Sequence, residues 1–151
     1  MSGMRLIVKT VTRLTSAIIF LFGFYIALSG HLTMGGGFAG GIIIALCYVL
    51  NVLAFGRTKE EQKQSRQGTM VVMCLGLTLF LVVALLGFLR GSFLANFLPL
   101  GTSGDLLSAG VIPLFNLALM IEVGAGLYLA FLRLISIEVV VTEEEEEEGE
   151  Q

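Results

Sequence analysis

Residues 30–41 read Gly-His-Leu-Thr-Met-Gly-Gly-Gly-Phe-Ala-Gly-Gly and join two long apolar runs, Thr10–Ser29 and Met34–Phe55. The join holds the chain's only histidine, His31, followed by Gly35, Gly36, Gly37, Gly40 and Gly41. In a helix interior glycine costs about 1 kcal/mol relative to alanine. A run of it at a helix start is expected where the backbone must bend freely or another backbone must come very close. The pairs Gly36/Gly40 and Gly37/Gly41 repeat at i,i+4, which lays a flat groove along one face for a neighbouring helix. The alternative is exposed backbone at a helix start lining an ion path, as in broken transporter helices. A phosphate-binding loop does not fit, because no Gly-Lys-Ser/Thr ending follows.

Two further apolar runs, Thr69–Leu89 and Gly110–Leu132, complete a set of four. Each is close to the roughly 20 residues a membrane span needs. The composition agrees: 56% of residues are hydrophobic and only 14% charged, against about 25% charged in soluble domains. The expected fold is all-α, a polytopic membrane protein with four transmembrane helices. Residues 1–135 form the membrane domain. Residues 136–151, with the run Glu143–Glu148, form an acidic disordered tail. That run also accounts for the net charge of −3, which therefore says little about the rest of the chain. A large catalytic centre has no room here, so the chain is not expected to be an enzyme by itself.

Orientation follows from the basic residues. Arg5 and Lys9 precede the first span and Arg13 lies in its first turn, Arg57, Lys59, Lys63 and Arg66 separate the second from the third, and Arg133 follows the fourth. Only Arg90 lies on the other side. Both termini and the 57–68 loop are thus expected in the cytoplasm, with the glycine turn outside. A cleaved signal peptide ending at Ala27-Leu28-Ser29 is disfavoured, since the apolar run exceeds the usual h-region of about 7–15 residues. The 57–68 segment reads as a polar loop. The 90–109 connection carries Phe93, Leu94, Phe97, Leu98 and Leu100, too apolar for water alone, so an interfacial or partner-covered segment fits. Ser103 or Asp105 could cap the fourth helix, which is expected to begin near Pro113, or a preceding turn.

Glu122 is the sharpest single residue. It falls near the middle of the fourth span, where a charged side chain costs at least roughly 2.5 kcal/mol. Such a residue faces the bundle interior, a water cavity or a partner, and marks a candidate ion or proton path. The alternative is a protonated Glu122 that hydrogen-bonds a neighbouring helix. His31, at the outer end of the first span, is the second ion-path candidate, because histidine changes charge close to neutrality. Its alternative is a ring bonded to turn carbonyls. Asn116 lies six residues before Glu122, about 120° around the helix, and reads as a separate interhelical hydrogen bonder. Gly124 and Gly126 thin the helix beyond Glu122 and join the helix-packing set. Cys47 and Cys74 are isolated and read as small packing residues. No metal site and no cofactor are expected.

Gly30-His31-x-x-Met34-Gly35-Gly36-Gly37-Phe38-x-Gly40-Gly41, between helices 1 and 2 of a four-helix protein, resembles the MnhB/MrpB subunit family of multisubunit Na⁺/H⁺ antiporters. Similar subunits occur in the antiporter-like membrane arms of energy-converting hydrogenases and related complexes. The resemblance spans about residues 5–135. Leu32 stands where the family has Asn, Met34 where it has Pro, and Asn116 where many members have Asp. It implies other membrane subunits as partners in a hetero-oligomeric complex, Na⁺ and H⁺ as the ions of that complex, no nucleic acid, and a multi-pass location in the plasma membrane.

Overall fold

The structure, a computed structural model, describes the backbone of residues 2–32, 34–56, 59–102, 104 and 108–149. It holds four α-helices: α1 (Ser2–Leu28), α2 (Gly36–Phe55), α3 (Lys59–Leu86) and α4 (Ile112–Gly149). A 3-10 turn, Gly87–Arg90, extends α3. All four have stretches long and apolar enough to cross a membrane: Leu6–Leu28, Gly36–Phe55, Lys63–Arg90 and Ile112–Ser136.

Three boundaries differ from the sequence reading. The basic residues before the first span are helical, because Lys, Arg and Leu favour helix and no Pro or internal Gly interrupts the chain between Met4 and Phe22. Most of the expected 57–68 loop is the first part of α3, which begins at Lys59. Its Glu, Gln and Lys residues are good helix formers, so polarity there marked a helix rather than a loop. Finally, α4 continues through the glutamate run to Gly149, where a disordered tail is expected. Extending an existing helix avoids the cost of nucleation, and glutamate has high intrinsic propensity.

The helices do not form a closed square. α2 packs on α1 and on α4, α4 packs on α2 and α3, and α1 touches α4 over a smaller area. Among the described residues α1 and α3 make no close backbone approach. The order across the molecule is therefore α1, α2, α4, α3, with α1 antiparallel to α2, α4 parallel to α2, and α3 antiparallel to α4. The termini of this layer define two ends: a glycine end, with the 30–41 turn, and a basic end, with Lys9, Arg13, Lys63, Arg66 and Arg133. The core follows the α2–α4 seam, in one cluster around Ala27, Ile44 and Met120 and another around Val52, Tyr128 and Leu132.

The connection from α3 to α4 is organised by Asn96. Its Oδ1 accepts the backbone N–H groups of Leu98 and Val111, each at 3.2 Å. Gly110 lies against the same side chain with φ 62, where a Cβ would collide with it. Asn96 thus anchors the chain just before α4; Ser103 and Asp105, the expected caps, lie outside the described residues. Pro113 falls in the first turn of α4, where its missing N–H costs no hydrogen bond. Phe88, Phe93, Leu94 and Leu98 are all exposed on this connection.

Candidate functional site

At the glycine end α1, α2 and α4 meet with almost no side-chain volume between them. The chain leaves α1 through a turn in which the Leu32 N–H reaches the Ser29 carbonyl at 2.8 Å. It enters α2 through Gly35, with φ 140, and Gly36, with φ 68. Both angles are in the region that side chains disfavour, so this entry needs glycine for conformation as well as for space.

Asn116 of α4 closes the entry. Its Oδ1 accepts the Gly37 N–H at 3.3 Å, one of the first N–H groups of α2 that have no partner within the helix. This is a capping interaction supplied from another helix 79 residues away in sequence. The other amide atom, Nδ2, is buried with no hydrogen-bond partner among the described residues. A Cβ on Gly37 would collide with the Asn116 backbone, and one on Gly30 would lie 2.7 Å from Nδ2. The departures Leu32 and Met34 stay outside this contact: Leu32 is exposed and Met34 fully so.

One turn further along, Gly40 faces α1, where a Cβ would come 2.6 Å from the Gly23 carbonyl oxygen. Gly41 faces α4, where it would come 2.9 Å from the Met120 carbonyl oxygen. Gly124 answers from α4, with the Gly41 carbonyl 3.3 Å from the position of its would-be Cβ. Gly37 and Gly41 therefore both face α4, whereas in the other pair Gly40 faces α1 and Gly36 lies nearest Asn116. Gly126 is different: the nearest atom to a Cβ there is Met73 Sδ at 3.9 Å, an ordinary contact. Its expected grouping with Gly124 does not correspond to a close approach, because the two residues are about 200° apart around α4.

His31 is half-buried in the turn after α1. Glu122 is also half-buried, ten residues into α4 and close to the middle of the Ile112–Ser136 span. It lies on the side of α4 that meets α3. A Cβ on Gly76 would come 3.0 Å from the Glu122 backbone nitrogen. Phe115, about 20° from Glu122 around the helix, stacks with Phe80 of α3 at a ring-centroid distance of 4.9 Å. Asn116, by contrast, points to α2. The structure thus keeps Asn116 and Glu122 on different seams, and Glu122 is not part of the glycine end. Among the described residues no group of three or more His, Cys, Asp or Glu side chains gathers as a metal site.

Several participants carry weaker sequence signals. Gly76, a lone glycine in an apolar helix, marks the α3–α4 crossing, and such isolated glycines often have a packing reason. Gly23 does the same for α1–α2. Nearer the basic end, Asn51 Nδ2 donates to Ser16 Oγ at 2.9 Å and to the Cys47 carbonyl at 2.8 Å, and the Cys47 thiol donates to the Ser16 carbonyl at 3.2 Å. Cys47 is buried among these partners while Cys74 lies on an exposed face.

Residues 7–129 match the family described as a domain related to the MnhB subunit of Na⁺/H⁺ antiporters. The chain is 31% identical to an uncharacterized protein of Methanocaldococcus jannaschii over 91% of its own length and 54% of that protein. It is 54% identical to a Na⁺/H⁺ antiporter subunit of Bacillus subtilis over 33% of its length and 35% of that subunit. Among solved structures it is similar to a chain of the membrane-bound sulfane sulfur reductase, an archaeal respiratory membrane complex. The TM-score is 0.66 at 32% identity, covering 82% of this chain and 54% of the other. The chain therefore spans about half the length of the archaeal relatives, and its match to the Bacillus protein covers about a third of each.

Proposed function

The chain belongs to this family, the domains related to the MnhB subunit of Na⁺/H⁺ antiporters, and on that premise we propose that it is a small, non-catalytic membrane subunit of a multisubunit Na⁺/H⁺ antiporter module. The module either stands alone or forms the membrane arm of a respiratory complex of the hydrogenase or sulfur-reducing type. The observation that carries the reading is the family match over 7–129, which includes the whole glycine junction and most of both seams of α4. The segregation of basic residues supports a cytoplasmic basic end, an outward glycine end and a place in the cell membrane.

In this reading the glycine end holds the subunit together, and Glu122 with His31 are the groups that meet the ion or proton path. Glu122 has the features such a role needs: a midspan carboxylate, half-buried, with no hydrogen-bond or ion-pair partner among the described residues. An unpartnered carboxylate is costly in hydrocarbon, which favours water or a neighbouring protein chain next to it. A second reading, a packing subunit with no ion contact, is favoured by the backbone-to-backbone approach at Gly37 and Gly41.

Purification in a mild detergent with identification of co-purifying subunits tests the assignment. Antiporter-type membrane subunits are expected; a chain that purifies alone and transports ions in liposomes overturns it. Iron–sulfur or nickel proteins in the same preparation identify the respiratory form. Glu122→Gln then separates the two readings. A several-fold loss of Na⁺ or H⁺ transport with normal assembly supports the ion path, and unchanged transport supports the packing subunit.

A further inference from the structure

α4 presents a face to each side of the helical layer. On one side Leu117, Ile121, Gly124 and Tyr128 line a cleft left between α1 and α3. Leu119, Glu122, Gly126 and Ala130 fall within about 80° of one another, and about 180° around α4 from that set. None of these four lines the cleft and none is buried: Ala130 is exposed and the other three are half-buried. Met73 of α3 flanks this second face and is itself exposed. Gly126 has no tighter neighbour in the chain than the Met73 sulfur, 3.9 Å from the position of its would-be Cβ.

The Glu122 carboxylate on this face has no hydrogen-bond or ion-pair partner among the described residues. Nor does the chain hold a cation at its depth. Gly76 of α3 lies beside Glu122, and Gly23 of α1 lies beside Gly40, one residue from the Gly41 that meets Met120 and Gly124. Arg133, Arg66 and Arg13 stand ten or eleven residues from Glu122, Gly76 and Gly23 respectively, about 15 Å along their helices and all toward the basic end. A second copy of the chain alongside, in the same membrane orientation, brings to Glu122 only another carboxylate. Lipid tails at that depth carry no donor at all.

We propose that this face of α4 docks a membrane-spanning helix of another subunit, and that this helix carries a Lys or Arg whose charged end pairs with Glu122. Charge complementarity selects the occupant. Ionisable side chains inside a membrane pair with one another, and a hydrogen bond between charged partners is roughly twice as strong as one between neutral groups. Gly126 leaves the room that a second helix needs beside the carboxylate. This also gives Gly126 the close contact that the chain alone does not. The inference rests on the proposed assembly with other membrane subunits, and not on the passage of ions at Glu122.

The test uses the complex purified in mild detergent. Photoreactive benzoylphenylalanine is placed at Leu119 or at Ala130, which bracket Glu122 on this face, and the cross-linked peptide is identified by mass spectrometry. Both positions are expected to capture a membrane span of another subunit with a Lys or Arg near its middle. Glu122→Lys, which sets like charges together, should reduce the co-purified partner at least ten-fold. Glu122→Gln keeps an acceptor oxygen for the cation and should retain it. Changing the partner's basic residue to Glu should restore the Glu122→Lys complex, which separates lost pairing from lost folding. The proposal is overturned if the cross-links reach only lipid or a second copy of this chain, or if the captured span has no Lys or Arg at that depth. It is equally overturned if Glu122→Lys keeps the partner or is not rescued. Antiporter-type subunits without such a cross-link overturn this inference and leave the assignment standing. A basic span captured from a complex without antiporter-type subunits does the reverse.

Discussion

The two ends of the α2–α4 seam are built in opposite ways. At the glycine end Gly37 and Gly41 bring backbone against backbone, and the Asn116 side chain is used to bond the first turn of α2. At the basic end the same helices are held apart by Val52, Tyr128 and Leu132, and Tyr48 meets Tyr128 at a ring-centroid distance of 5.6 Å. The seam is tight at one end and filled by larger side chains at the other. Lipid tails are as apolar as leucine, so helices in a membrane associate through van der Waals contact and hydrogen bonds. Both ends supply these, but only the tight end leaves no tolerance for volume.

The contrast is broken most severely by Gly37→Leu. Overpacking a well-packed core typically costs about 1–3 kcal/mol, and here the obstacle is the α4 backbone, which cannot change rotamer. We expect loss of the folded chain or of its assembly, read by size-exclusion profile and co-purification; a normal profile would mean the ends are equally tolerant. Asn116→Ala comes next. It removes the Gly37 bond, and interhelical bonds in membranes average about 0.6 kcal/mol and reach about 1.7 kcal/mol. A measurable fall in thermal stability in detergent is expected, with assembly retained.

Tyr128→Phe probes the wide end. It deletes the hydroxyl that meets Ser65 at 3.3 Å but keeps the ring that separates α2 from α4. A loss of at most about 1 kcal/mol is expected, and a larger one would show that the wide end depends on its polar contact rather than on the ring. Gly126→Ala is the smallest. With only Met73 Sδ nearby, at 3.9 Å, the added methyl group meets no obstacle, and removing a mid-helix glycine gains about 0.5–1 kcal/mol. Destabilisation at Gly126 comparable to that at Gly41 would break the distinction between the two glycines.

Much of this was legible in the residues. The four apolar runs became four helices, and the i,i+4 glycine pairs became close approaches. Asn116 proved to be an interhelical hydrogen bonder on a different face from Glu122. Less legible was where helices continue outside the membrane. Lys59 to Gly68 is polar, and polarity alone does not separate a polar helix from a loop. Gly124 and Gly126 look alike in sequence, but about 200° of helix puts only one of them on the seam. Asn96 carried no signal at all, since its role depends on Val111, which folding brings to it from 15 residues away.

The sequence by itself determined that the chain is a four-helix membrane protein of this family with one midspan carboxylate. Hydropathy, charge placement and the glycine motif are local properties that survive without knowledge of the neighbours. Only the tertiary structure decided which helix each glycine faces, that Asn116 caps α2, that Glu122 belongs to the α3 seam, and that α1 and α3 leave a cleft between them. Those are relations between residues 17 to 83 positions apart, from Gly23–Gly40 to Gly41–Gly124. They are set by how small and large side chains fit across each seam, and no window along the chain contains both halves of that fit.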